Sequence, residues 1–142
     1  MLLSDEKSLC AKDQKIIVSK DRGTSRIHKA YNPDKKYCVR HYKLDGDIIK
    51  NRKCCDFLLL NDTSRHAYLI ELKGGNIDEA VPQLEAGAQL CRTEVPEYTL
   101  YYRIVCSKAR THDIRKSIFR KFRARCGSQL KCASQVMEED LK

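Results

Sequence analysis

Residues 56 to 73 read Asp56-Phe57-Leu58-Leu59-Leu60-Asn61-Asp62-Thr63-Ser64-Arg65-His66-Ala67-Tyr68-Leu69-Ile70-Glu71-Leu72-Lys73. Two apolar runs, Phe57 to Leu60 and Ala67 to Leu72, flank the polar tetrad Asp62-Thr63-Ser64-Arg65, the pattern of two strands joined by a hairpin loop. Pairing Asn61 with His66 across that loop sets Asp56 directly opposite Glu71, and directly opposed side chains have Cβ atoms about 4.5–5.5 Å apart. Strand side chains alternate, so Lys73 shares the face of Glu71. Two carboxylates that close repel unless a proton or a cation sits between them. The reading is therefore a metal site with an ammonium beside it. Its oxygen-only donors suit Mg²⁺, with Mn²⁺ as a substitute. A plain alternative makes Glu71 and Lys73 an exposed ion pair on an edge strand. Tyr68, Ile70 and Leu72 on one face and Ala67 and Leu69 on the other argue for a covered central strand instead, with its charges at the rim.

Asp56 followed by Glu71-Leu72-Lys73 at the end of an apolar strand resembles the PD-(D/E)xK nuclease superfamily over about residues 36 to 135. Cys55 stands where the motif's name has proline, a position without metal contact. The resemblance implies an α/β fold with a restriction-endonuclease-like core, a central mixed β-sheet flanked by helices. It also implies that the Leu72 carbonyl joins Asp56 and Glu71 as a metal ligand, that Lys73 is catalytic, and that Gln83 on the next helix stands behind the catalytic strand. The expected activity is metal-dependent hydrolysis of DNA phosphodiester bonds, directed by structure or ends rather than by a long sequence. A non-catalytic nucleic-acid-binding module on the same fold and an RNA-cutting enzyme are the alternatives.

A length of 142 residues suits one domain, 1–142, with a real core. With 28 Lys and Arg against 19 Asp and Glu, the net charge of +9 favours a polyanionic partner, nucleic acid first. No run is long enough for a membrane span, and Met1 to Glu6 is too short and acidic for a signal peptide, so the expected location is cytoplasmic. The eight cysteines lack Cys-x-x-Cys spacing and fall mostly in apolar patterns, which reads as reduced, buried thiols rather than disulfides or zinc ligands.

Residues 4 to 12 suggest a short helix capped by Ser4, and Ile16-Ile17-Val18 a strand. Lys20 to Pro33 reads as a polar loop, and Tyr37 to Leu44 as a strand. Asp45-Gly46 reads as a turn, with Ile48-Ile49 completing a hairpin. The resemblance implies that a first-helix glutamate can add a metal contact, for which Glu6 is the one candidate, but it reads better as a solvated surface charge outside the site. Asp45 or Asp47 could supply a second metal, but turn chemistry is the favoured reading. Asn76 caps a helix carrying Gln83, with Pro82 marking its regular start or a kink. Tyr98 to Ser107 is a strand parallel to the Glu71 strand. Thr111 caps a second helix with Ile114, Ile118, Phe119, Phe122 and Cys126 inward and Gly127 past its end. Gln129 to Val136 reads as an edge strand, and Glu138-Glu139-Asp140 as a solvated tail. The second helix carries the nucleic-acid-binding candidates Arg115, Lys116, Arg120 and Lys121 within a cluster that includes Lys108, Arg110, Arg123 and Arg125. A homodimer is expected, because one small domain offers one site for two strands.

Overall fold

The structure is a computed structural model that describes residues 1–107 and 117–142. Thr111, Ile114, Arg115 and Lys116 lie outside the described residues, as do Lys108 and Arg110. Around the hairpin runs a mixed sheet of β3 (Val39–Lys43), β4 (Phe57–Asn61), β5 (His66–Lys73), β6 (Thr99–Cys106) and β7 (Leu130–Ser134), in sequence order. The first two pairings are antiparallel and the last two parallel. The hairpin register is the expected one, with Asn61 opposite His66 and Phe57 opposite Ile70. Its loop is closed by Asn61 Oδ1 accepting the Ser64 N–H at 3.2 Å and by Arg65 in the left-handed region at φ 60°.

Parallel pairing needs crossovers, and α1 (Ala80–Glu94) and α2 (Ser117–Cys126) lie in them. Both pack on one sheet face, where Leu58, Leu60 and Leu69 meet Leu84, Cys91, Phe119 and Phe122 in a single buried cluster. Before α1, Asn76 Oδ1 accepts the Asp78 N–H at 3.0 Å and a 3-10 turn runs over Ile77–Glu79. The regular helix thus begins at Ala80, next to the expected start at Val81, and Pro82 falls in the first turn of α1, where its missing N–H breaks no helical bond. Gly87 is where the helix comes closest: a Cβ there would lie 2.6 Å from Cys55 Sγ and 2.8 Å from Leu69 Cδ2.

The opposite sheet face is covered by strands rather than by a described helix. A second mixed sheet, β1 (Ile16–Lys20), β2 (Ile27–Tyr31) and β8 (Val136–Asp140), packs Ile17, Ala30 and Met137 against Phe57, Leu59 and Ile70. Three layers result, and β4 and β5 are buried on both faces, which accounts for their unbroken apolar runs.

Several expectations are corrected. Residues 4 to 12 hold only a 3-10 turn at Asp5–Lys7, and Ser4 makes no side-chain cap bond. The supposed loop from Lys20 to Pro33 contains β2. Ile48-Ile49 forms no strand; one bridge joins Asp45 to Ile49 around Gly46 at φ 93°. Gln129 to Val136 divides between β7 and β8, in different sheets. Ile118 is exposed rather than inward, because the inner face of α2 is filled by Phe119 and Phe122. The acidic tail belongs to β8, and Glu139 is held between sheets: Arg103 Nε donates to it at 2.7 Å and His28 Nε2 lies 2.6 Å away. Burial alone would raise the Glu139 carboxyl, but the hydrogen bonds from His28 and Arg103 and the Arg103 charge hold it down to about 2.

Candidate active site

The hairpin register brings Asp56 and Glu71 together where β4 begins and β5 ends. The Asp56 N–H donates to Glu71 Oε1 at 3.2 Å, and Asp56 Oδ2 accepts the Leu72 N–H at 2.8 Å. In extended backbone, a residue's N–H and C=O leave the strand on the same side, so the Leu72 carbonyl is directed toward the Asp56 end of β4 as well. Asp56 is half-buried and Glu71 only 3% exposed. Burial, then the neighbouring Asp56 charge, pushes the Glu71 carboxyl up to about 9, against a partial offset from Lys73. Burial likewise raises Asp56, while the Leu72 N–H and the Lys43 charge pull it back.

Gln83 joins this pair from α1. Oriented with its nitrogen toward the carboxylate, its amide donates to Glu71 Oε1 at 3.1 Å and also to Oε2. Its main-chain carbonyl accepts the Cys55 N–H at 3.0 Å, so one helical residue braces both strands of the hairpin. Lys73 lies on the same face, with its ammonium 3.0 Å from Glu79 Oε2. A hollow of about 310 Å³ lined by Lys53, Glu79, Pro82 and Gln83 opens beside the pair.

Asp56, Glu71, Leu72, Lys73 and Gln83 are thus neighbours, whereas Glu6 sits exposed in the first 3-10 turn. Asp45 serves the turn, where the Gly46 N–H donates to the Ile49 carbonyl at 2.9 Å. Of the candidate nucleic-acid-binding residues, Arg120 and Lys121 are exposed on α2, while Arg115 and Lys116 fall outside the described residues. The Phe119 N–H donates to Asp78 Oδ1 at 3.1 Å, tying α2 to the turn that carries Glu79. Sequence reasoning missed Asp21 and Lys43. Lys43 Nζ lies 3.7 Å from Asp21 Oδ1, and both charges act on Asp56. Only the position of Lys43 at a strand end signalled it.

Among the described residues, no group of three or more His, Cys, Asp or Glu side chains is gathered to hold a metal. The pair of carboxylates with a main-chain carbonyl is a smaller donor set, of the size Mg²⁺ accepts, since that ion usually keeps several waters. Burial and, after it, the Asp56 charge drive up the Glu71 carboxyl, and a cation between the two groups would offset both, so the residues fit a hard divalent ion. Among the described residues, no helix is long and apolar enough to cross a membrane. Comparisons with protein-family models, with curated proteins and with solved structures give no match to this chain.

Proposed function

We propose that this chain is a metal-dependent nuclease of the PD-(D/E)xK type that hydrolyses DNA phosphodiester bonds. The observation that carries the reading is the buried opposition of Glu71 to Asp56, whose N–H donates to Glu71 Oε1 at 3.2 Å, with Lys73 on the same face. The meander β3-β4-β5 followed by helix, strand, helix and strand supports it, being the order expected of a restriction-endonuclease-like core.

Asp56, Glu71 and the Leu72 carbonyl would hold Mg²⁺ or Mn²⁺, which when bound polarises the scissile phosphate and acidifies a water. The Gln83 amide fixes the direction of the Glu71 carboxylate, and the Leu72 N–H that of Asp56. Lys73 Nζ holds the attacking water by donating to it and steadies charge at the phosphate. Arg120 and Lys121, exposed on α2, lie along the nucleic-acid backbone and supply affinity without sequence information. Two copies would serve the two strands of a duplex.

One observation favours the non-catalytic alternative: the Lys73 ammonium is engaged by Glu79. The deciding experiment incubates the chain with supercoiled, linear, single-stranded and branched DNA, and with RNA, in Mg²⁺, Mn²⁺ or chelator. Cleavage of DNA that requires metal is expected. Binding without cleavage of any substrate would favour the non-catalytic module, and cleavage of RNA alone would reassign the substrate.

A further inference from the structure

We infer that the groove between β1 and the β3–β4 edge holds unpaired nucleotides flanking the scissile phosphate. This deepens the nuclease proposal and rests on it for the identity of the polyanion. The groove has a volume of about 710 Å³ and is lined by Leu9, Ile16, Val18, Lys20, Arg22 and Lys43, among others. A second hollow of about 290 Å³ shares Lys43 and adds Lys7 and Lys50. Five cations thus border these two hollows, opposed there by Asp21 and Asp47.

The groove reaches the candidate active site through a single residue. Phe57, part of its lining, directly follows Asp56 in the chain, and the Lys43 ammonium lies 5.2 Å from the Phe57 ring centre. Phe57 and Asp56 point to opposite faces of the sheet, so a bound strand would pass over the rim where β4 begins. Asp21 and Lys43, both in the groove, act electrostatically on Asp56.

The lining chooses the kind of nucleic acid. On β1, Ile16, Val18 and Lys20 face outward, while Ile17 and Ser19 are buried. Leu9 is 56%, Ile16 42% and Val18 43% exposed, an apolar surface set among cations. A duplex offers such a surface only phosphates and sugars. An unpaired strand offers base faces to the aliphatic side chains and phosphates to the ammonium and guanidinium groups.

The test measures binding of a short labelled oligothymidylate and of a blunt duplex by the full chain in chelator, across a salt series. Two exposed-site variants are compared with wild type, K20Q/R22Q and V18N. The first should weaken oligothymidylate binding and lower its salt slope by about 1.4, at about 0.7 per phosphate on a single strand. V18N, which leaves the charge unchanged, should weaken oligothymidylate binding about fivefold or more and leave duplex binding within about twofold, because it removes an apolar base contact. Wild-type affinity in both variants would overturn the inference. Equal losses on duplex and oligothymidylate would also overturn it, as would polyglutamate competing as well as oligothymidylate. Because metal is absent, the nuclease proposal fails or stands separately. A chain that cleaves nothing yet gives the expected pattern would lose only the activity, and a DNA-cleaving chain with unaffected variants would lose only the groove.

Discussion

Lys73 Nζ lies 3.0 Å from Glu79 Oε2, so the ammonium assigned to the attacking water is held by a carboxylate from the turn that leads into α1. The lysine side chain is 19% exposed and the glutamate 62% exposed, and an ion pair with so open a partner contributes little to stability. This pair by itself therefore adds little to the fold. Glu79→Gln should leave thermal stability within about 0.5 kcal/mol of wild type and keep or raise the cleavage rate by freeing Lys73. A large loss of activity in this variant, measured under single-turnover conditions, would show that Glu79 itself serves the reaction.

Glu71 is nearly inaccessible and its carboxyl is pushed up to about 9, so at neutral pH the metal-free protein must bind a proton there to fold, a cost that a neutral amide removes. Glu71→Gln should raise the unfolding midpoint in chelator by about 2–4 °C, the size expected for about 1 kcal/mol in a domain of this length. Mg²⁺ should then stabilise wild type and leave the variant unchanged. Differential scanning calorimetry with and without Mg²⁺ reads both effects, and an equal response to the ion in both proteins would place its binding elsewhere.

Gly87 lets α1 approach Cys55 and Leu69 so closely that an added methyl has no room. Gly87→Ala should destabilise by about 1–3 kcal/mol through overpacking, despite alanine's advantage of about 1 kcal/mol in helix propensity. Because α1 carries Gln83 against Glu71, activity should fall as well. Denaturant unfolding with an unchanged or higher midpoint would show that the helix can shift without cost.

Glu139, held down to about 2 by His28 and Arg103, links the two sheets. A carboxyl whose folded pKa is depressed contributes stability that is present above its ordinary pKa and lost as pH falls through the folded value. That window runs from about 4.5 down to about 2. Glu139→Gln leaves Arg103 buried without its ion pair and should cost about 3–5 kcal/mol at neutral pH. The difference from wild type should shrink across the window as the native carboxylate is protonated. A gap that stays constant from neutral pH to pH 2 would contradict the role given to this pair.

The hairpin was legible from its two apolar runs, and its register from the four-residue loop that sets Asn61 opposite His66. The opposition of Asp56 to Glu71 followed from that register alone. What escaped was structure whose inward positions look polar. In β2 the buried residues are His28 and Ala30, so no apolar period marks the strand. In β8, Glu139 resembles a solvated charge until its partners Arg103 and His28 arrive from 36 and 111 residues away. Asp21 was hidden because its approach to Asp56 depends on how the second sheet sits against the first. The tightness at Gly87 is likewise invisible in a helical pattern that merely tolerates glycine.

The most direct test of the central claim is single-turnover cleavage of labelled DNA in Mg²⁺ by wild type and by the alanine variants of Asp56, Glu71 and Lys73, with DNA binding measured in parallel. The account predicts metal-dependent cleavage by wild type, and in each variant a rate at least about a hundredfold lower with binding largely retained. Cleavage above a tenth of the wild-type rate in all three variants, or no cleavage by wild type with either metal, would contradict it.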